Sequence, residues 1–183
     1  MNRDDALALL RRYVASENLV RHCLATAAVM KQIGAYLGED AERWEIIGIL
    51  HDIDYEEVGE DMERHGDVGC KILLEEGVDE EIAQIVRRHN HVRYGPVYER
   101  PVEIALQAAD SVSGLVIACA LVKGGTVSDV SAKTVKKKFK EKSFAAGCDR
   151  SRIAAIEPLM DAATLYELAI AGIAGIKEEL DLR

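Results

Sequence analysis

The stretch Trp44-Glu45-Ile46-Ile47-Gly48-Ile49-Leu50-His51-Asp52-Ile53-Asp54 packs five large apolar residues into seven positions, then runs directly into a histidine and an aspartate. The apolar part reads as a helix opened after Asp40, with His51 and Asp52 at its end. Successive side chains on a helix point about 100° apart, following from 3.6 residues per turn. His51 and Asp52 are therefore able to reach one metal ion from a helix end, or Asp52 to bridge to a second.

Working outward, the pattern stays helical. Ala6, Leu7, Leu9, Leu10, Tyr13 and Val14 suit an amphipathic helix opened by Asp4 or Asp5. A second helix is expected from about Asn18 to Leu37, closed by Gly38. Further helices fit Gly66–Glu76, Asp79–Asn90 and Val102–Val122. After the Gly124-Gly125 break come a basic stretch and two more helical patterns divided near Pro158. No alternating run suits a strand, and there is no repeat. The expected fold class is all-α, with a core over residues 1–124 and a C-terminal helical extension over 125–183 packed on it. Ala162 to Ile176 suits ordinary core packing, the preferred reading, or a homodimer surface.

The 183 residues include 23 Lys+Arg against 32 Asp+Glu, a net charge of −9. That disfavours broad binding to DNA or to an anionic membrane, but a small phosphorylated substrate needs only a local positive site. An acidic loop follows Asp52, with Asp54, Glu56, Glu57, Glu60, Asp61 and Glu63. Between Lys133 and Lys142, six lysines stand against one glutamate. This reads first as a solvated helix face, second as a phosphate-attracting rim. Cys23, Cys70, Cys119 and Cys148 form no CxxC pair and are expected as buried, reduced thiols in helices of a cytoplasmic protein. The N-terminal residues lack a basic-then-apolar signal pattern, and no uninterrupted apolar run approaches the roughly 20 residues of a membrane span.

All five histidines lie between positions 22 and 91. His22 sits inside an apolar helix, His51 before Asp52, His65 before Gly66 at a helix start, and His89 at the end of an amphipathic helix after Arg87-Arg88. Asp110 follows Ala108-Ala109 among small and apolar neighbours. A carboxylate so placed is costly unless it is paired or bound to a cation. Imidazole and carboxylate are the ligand types of Zn, Fe, Mn and Ni sites.

His22, then His51-Asp52, then Asp110 resemble the H…HD…D signature of the HD-domain superfamily of metal-dependent phosphohydrolases, over about residues 18–122. His65 and His89 fall where dinuclear members place two further histidines. The resemblance implies an all-helical bundle and two divalent ions (Fe, Mn, Zn, Ni or Co). His22, His51, Asp52 and Asp110 would hold one ion. His65, His89 and a bridging Asp52 would hold the other. It also implies hydrolysis of a phosphate ester or anhydride of a nucleotide or similar small molecule. A divalent ion supports this by lowering the pKa of water toward about 7. The sequence departs from the cyclic-di-nucleotide subgroup, since Ile53-Asp54-Tyr55 stands in place of Ile-Gly-Lys and there is no Gly-Tyr-Pro motif.

Around these ligands, Asp52, Asp54 and His91 are the catalytic candidates. Asp54 would orient water or belong to the acidic loop, and His91 would donate a proton or be a plain loop histidine. Arg87 and Arg88 are candidates for clamping a phosphate. Two other readings compete. One is an HD-type diiron oxygenase with the same six ligands; the other is a non-catalytic nucleotide-binding HD module.

Overall fold

The computed structural model describes residues 1–59, 61–95 and 97–183, so Glu60 of the acidic loop lies outside the described residues. Eleven α-helices are formed among the described residues, and no strand is, as the sequence predicts for an all-α chain. In order they are α1 (Arg3–Tyr13), α2 (Glu17–Leu37), α3 (Ala41–Leu50), α4 (Tyr55–Val58), α5 (Asp67–Glu75) and α6 (Glu80–Arg88). There follow α7 (His91–Tyr94), α8 (Pro101–Leu121), α9 (Ala132–Phe139), α10 (Arg150–Ala154) and α11 (Ala162–Gly175).

Short polar side chains start these helices by accepting orphan backbone N–H groups. Ser16 opens α2, Asp40 opens α3 and Asp79 opens α6. Gly38 ends α2 in the left-handed conformation, φ 75°. The first helix begins slightly earlier than the expected Asp4 or Asp5. Asn2 is its cap, and Asp5 sits three positions on, exchanging hydrogen bonds with it as a capping box. Pro158 falls between α10 and α11, where the sequence places a boundary.

Helix α2 is the axis of the molecule, with α3, α8 and α11 packed around it. Two glycines allow the approach. A Cβ on Gly48 of α3 would come within 2.5 Å of Ala27 Cα in α2, and one on Gly172 of α11 within 2.7 Å of the Ala28 carbonyl oxygen. Neither position has room for even a methyl group, so α2 is gripped on two sides by backbone contact. One hydrophobic cluster runs through the chain from Ala6 to Leu182, and the helices after Gly125 join it through Val135, Ile153, Leu165 and Ile173. In α11, Leu165, Tyr166, Ala169, Gly172 and Ile173 are buried, so one face of the Ala162–Ile176 segment is used for core packing.

Helix α8 corrects one expectation. Over 21 residues its best window has mean hydropathy 1.7, so by length and composition alone it could cross a membrane. The expectation counted only uninterrupted apolar runs, whereas Glu103, Gln107 and Asp110 break the run without lowering the average enough. Helix α8 is instead a core helix, mostly buried by its neighbours. A second correction concerns the cysteines. All four are free thiols, and Cys23, Cys70 and Cys119 are buried in helices. Cys148 lies in the turn before α10 and is only half-buried.

Candidate metal centre

The ligand candidates come from helix ends and interiors that converge beside α2. His22 projects from α2, and His51 caps the C-terminus of α3, with Asp52 next in line. His65 precedes α5, His89 caps the C-terminus of α6, and Asp110 projects from the middle of α8. The six residues predicted from sequence are thus brought together. Two sets of three lie close enough to share an ion: His22, His51 and Asp52 form one, and Asp52, His65 and His89 the other.

Asp52 divides its carboxylate between the sets. Its Oδ2 lies 3.5 Å from His22 Nε2 and 3.4 Å from His51 Nε2. Its Oδ1 lies 3.4 Å from His65 Nε2 and 3.3 Å from His89 Nε2. Asp110 completes the first set, with Oδ1 at 3.1 Å from His22 Nε2 and 4.0 Å from His51 Nε2.

The backs of three imidazoles are fixed by acceptors. His51 Nδ1 is 2.8 Å from the Gly48 carbonyl, His89 Nδ1 contacts the Val86 carbonyl, and His65 Nδ1 is 2.9 Å from Asp54 Oδ1. A carbonyl or carboxylate oxygen can only accept, so each Nδ1 carries a hydrogen. In the neutral ring, Nε2 then presents a bare lone pair. Those lone pairs all point inward. His65 Nε2 and His89 Nε2 are 2.9 Å apart, and His51 Nε2 is buried with no hydrogen-bond partner among the described residues. Acceptor facing acceptor inside a protein is unfavourable unless a proton or a cation lies between. Nδ1 held and Nε2 free is the arrangement found behind metal-binding histidines. The donor set therefore fits a divalent ion.

The electrostatics agree. Burial works against the charged form of His65, but hydrogen bonds to Asp52 and Asp54 outweigh it and raise its pKa to about 9. For His22, burial is again overcome, here by Asp110 and Asp52, and the pKa rises to about 8. His51, fully enclosed, is pushed down to about 4 by burial. Burial tends to raise Asp52 and Asp110, yet the surrounding histidines, and Arg152 in the case of Asp110, hold both well below the usual carboxylate range. The cluster thus keeps two carboxylates ionised and holds protons where a cation would otherwise sit.

Asp54 is fully buried and does not line the cavity, and three hydrogen bonds occupy most of its acceptor positions. Its Oδ1 accepts from His65, and its Oδ2 accepts the Gly66 and Gly69 N–H groups, each at 2.7 Å. It acts through His65, by orienting that ring at the start of α5. Glu56, from the same acidic stretch, accepts the N–H groups of Ala15 and Ser16 and so ties the stretch to the α1–α2 junction.

A cavity of about 480 Å³ opens over the cluster, a size suited to a small molecule. His22, Asp52, His65, His89 and Asp110 reach it from the protein side, and Tyr55, Met62, Asn90, His91 and Arg152 line it as well. His91 therefore stands at the cavity, where burial and nearby Arg152 lower its pKa. Arg87 and Arg88 do not line it. Arg87 Nε is 2.6 Å from Asp67 Oδ1, and Arg88 Nε is 2.9 Å from Glu103 Oε1. Both are engaged by carboxylates, Asp67 of α5 and the buried Glu103 of α8, which removes the basis for assigning them to a substrate phosphate. The described residues lining the cavity include no lysine of the 133–142 stretch. Lys133, Lys136, Lys137, Lys140 and Lys142 are exposed, as a solvated face requires.

Several contributors were not singled out in the sequence. Arg152, from α10, has Nη2 at 2.5 Å from Asp110 Oδ2. The Asn90 side-chain amide donates to the carbonyls of Met62 and His65 while its Oδ1 caps α7. Gln107 donates to the His89 carbonyl at 2.7 Å. Asn90 and Gln107 have a faint sequence signal, as amides beside or one turn before a candidate ligand. Arg152 has none, because its partner lies on a different helix far along the chain.

The HD domain family matches residues 19–117, more than half of the chain, and the protein belongs to that family. An uncharacterized protein of Methanocaldococcus jannaschii is 34% identical over 115 residues, covering 60% of this chain and 65% of that protein. A ribonuclease Y of Lawsonia intracellularis is 29% identical over 103 residues, covering 54% of this chain. The match takes in 19% of that enzyme's length. The family and the buried His/Asp clusters together indicate a divalent-metal site.

Proposed function

We propose that the protein is a dinuclear HD-type phosphohydrolase that cleaves a phosphate ester or anhydride of a nucleotide or similar small molecule. The observation that carries this reading is the divided carboxylate of Asp52, which turns one oxygen toward His22 and His51 and the other toward His65 and His89. A single ion would leave one of these sets without a cation. Divalent ions held there supply Lewis-acid charge and a lowered water pKa, near 7.

The protein's own residues do the rest. His51, His65 and His89 are held in orientation by Gly48, Asp54 and Val86, so the rings need no turning to bind an ion, although His65 must first release its Nε2 proton. Met62, Leu19 and Tyr55 form the less polar wall of the cavity. His91 stands at the cavity, where burial and Arg152 favour its neutral form, so near neutral pH it would accept a proton or a hydrogen bond rather than donate a proton to a departing oxygen. The ribonuclease Y relative is named for action on RNA, which supports a phosphodiester or nucleotide substrate. The free thiols suit a reducing, cytoplasmic compartment.

The test is a metal census combined with a substrate screen. The protein is purified without added metal, Fe, Mn, Zn, Ni and Co are quantified, and phosphate release from nucleotides and dinucleotides is assayed with and without O₂. Two metals per chain and O₂-independent release are expected. Fewer than one metal per chain in a folded sample would overturn the dinuclear assignment. O₂ consumption by an iron-loaded protein would replace hydrolysis with the oxygenase reading. Tight nucleotide binding without turnover would replace it with the non-catalytic module.

A further inference from the structure

We infer that Arg152, supplied by the C-terminal extension, is the residue that anchors a substrate phosphate at this centre; the inference rests on the reading of the site as a phosphohydrolase. Arg152 lies outside the residues that match the HD domain, on α10. Its side chain is 15% exposed and lines the cavity beside His22, His91 and Asp110. Its Nη2 makes an ion pair with Asp110, but Nε and Nη2 are buried without a hydrogen-bond partner among the described residues.

A guanidinium carries five N–H donors in a planar fork. Burying it with its donors unmatched is costly, and Asp110 offers only one oxygen, since its other oxygen faces His22. An anionic oxygen entering from the cavity would supply the missing acceptor and match the positive charge. A phosphate group meets those terms and takes two parallel N–H bonds from the fork. Arg87 and Arg88 pair with Asp67 and Glu103 away from the cavity, so Arg152 is the guanidinium that lines it among the described residues.

The helix that carries it is fixed in advance. Asp149 caps α10, and Arg150 ties the preceding turn together by donating to the carbonyls of Phe139, Glu141, Phe144, Ala145 and Cys148. Ile153 is buried in the core, and α10 packs on α8, the helix that carries Asp110. Arg152 is thus held beside the ligand set rather than swinging over it, so the ordering cost of binding a phosphate is low.

The experiment measures orthophosphate binding by calorimetry to the metal-loaded full-length protein, its Arg152→Met and Arg152→Lys variants, with metal content and melting temperature determined for each. Arg152→Met is expected to bind phosphate about tenfold more weakly with metal content unchanged, and Arg152→Lys to fall between. KM for any ester the protein hydrolyses should rise more than kcat falls. Undiminished phosphate binding by Arg152→Met, or none by the wild type, would overturn the inference. Loss of metal from Arg152→Met would overturn it too, because the residue would then serve to hold Asp110. Should Arg152→Met fail to fold, Arg152→Lys decides: weaker phosphate binding supports the anchor, and wild-type binding removes it. Phosphate binding that responds as expected in a wild type that hydrolyses no ester would remove the phosphohydrolase reading and leave the anion anchor standing.

Discussion

The two halves of the centre share Asp52 but are built differently. On one side, His22 and His51 face Asp110, and Arg152 brings a permanent positive charge to the outer oxygen of that aspartate. The His22 side chain remains 31% exposed, and its Nδ1 makes no hydrogen bond among the described residues. On the other side, His65 and His89 are almost completely enclosed, and Asp54 and Val86 fix both rings from behind. Arg152 pairs with Asp110 of the first set, not with Asp52. Pre-orientation lowers the cost of binding, and the absence of a competing cation raises the need for one. The enclosed half should therefore bind its ion more tightly, while the open half, where Arg152 stands, should take the substrate.

The sharpest way to break this comparison is to remove the group common to both halves. Asp52→Ala is expected to lose both ions and reduce activity to background, read by metal analysis and phosphate release. Full metal content and full activity in that variant would defeat the assignment of the whole centre. Next in size is the contrast between His89→Ala and His22→Ala. His89→Ala should lose the slowly exchanging ion. His22→Ala should lose the ion that a chelator removes first from the wild type. Equal release rates in a chelator time course would show that the two halves do not differ in the way their geometry implies.

A smaller effect is expected from Asp54→Asn. The asparagine oxygen can still accept from His65, but its amide nitrogen cannot accept the N–H groups of Gly66 and Gly69. Metal affinity of the enclosed half should fall about 10- to 100-fold, as is typical when a partner behind a ligand is altered. The open half should keep its ion. A titration in which both ions weaken together would assign Asp54 to the scaffold as a whole rather than to His65.

These distinctions were only partly legible in the sequence. The candidate ligands stand out because a His-Asp pair at the end of an apolar helix, or an aspartate among alanines, is costly without a cation. Helix limits such as Asp40 and Gly38 were legible because capping depends on residues adjacent in the chain. The role of Asp54 was ambiguous, because in the sequence it is one acid among six, and only the folded chain brings Gly66, Gly69 and His65 onto its two oxygens. The contributions of the Gly48 and Val86 carbonyls were invisible, since every residue has one. Arg152 was hidden for a different reason. Nothing local to Arg150-Ser151-Arg152 indicates that α10 packs on α8 and directs one of the two arginines toward Asp110.

The arginines that did stand out in the sequence, Arg87 and Arg88, supply the smallest expected effect. Arg88 is 44% exposed, but its partner Glu103 is 3% exposed, so the pair is anchored on a carboxylate that water scarcely reaches. Removing the guanidinium leaves that carboxylate buried and unmatched, whereas the cavity over the metal ligands loses nothing. Arg88→Ala should therefore cost about 1–2 kcal/mol in denaturant unfolding, toward the low side for a buried partner because the arginine itself is half in water. Metal content should not change, and KM should stay within about twofold of wild type, since no substrate contact is removed. A tenfold rise in KM with unaltered stability would reverse the relation between α6 and α10 and return the phosphate-binding role to the residues that precede His89.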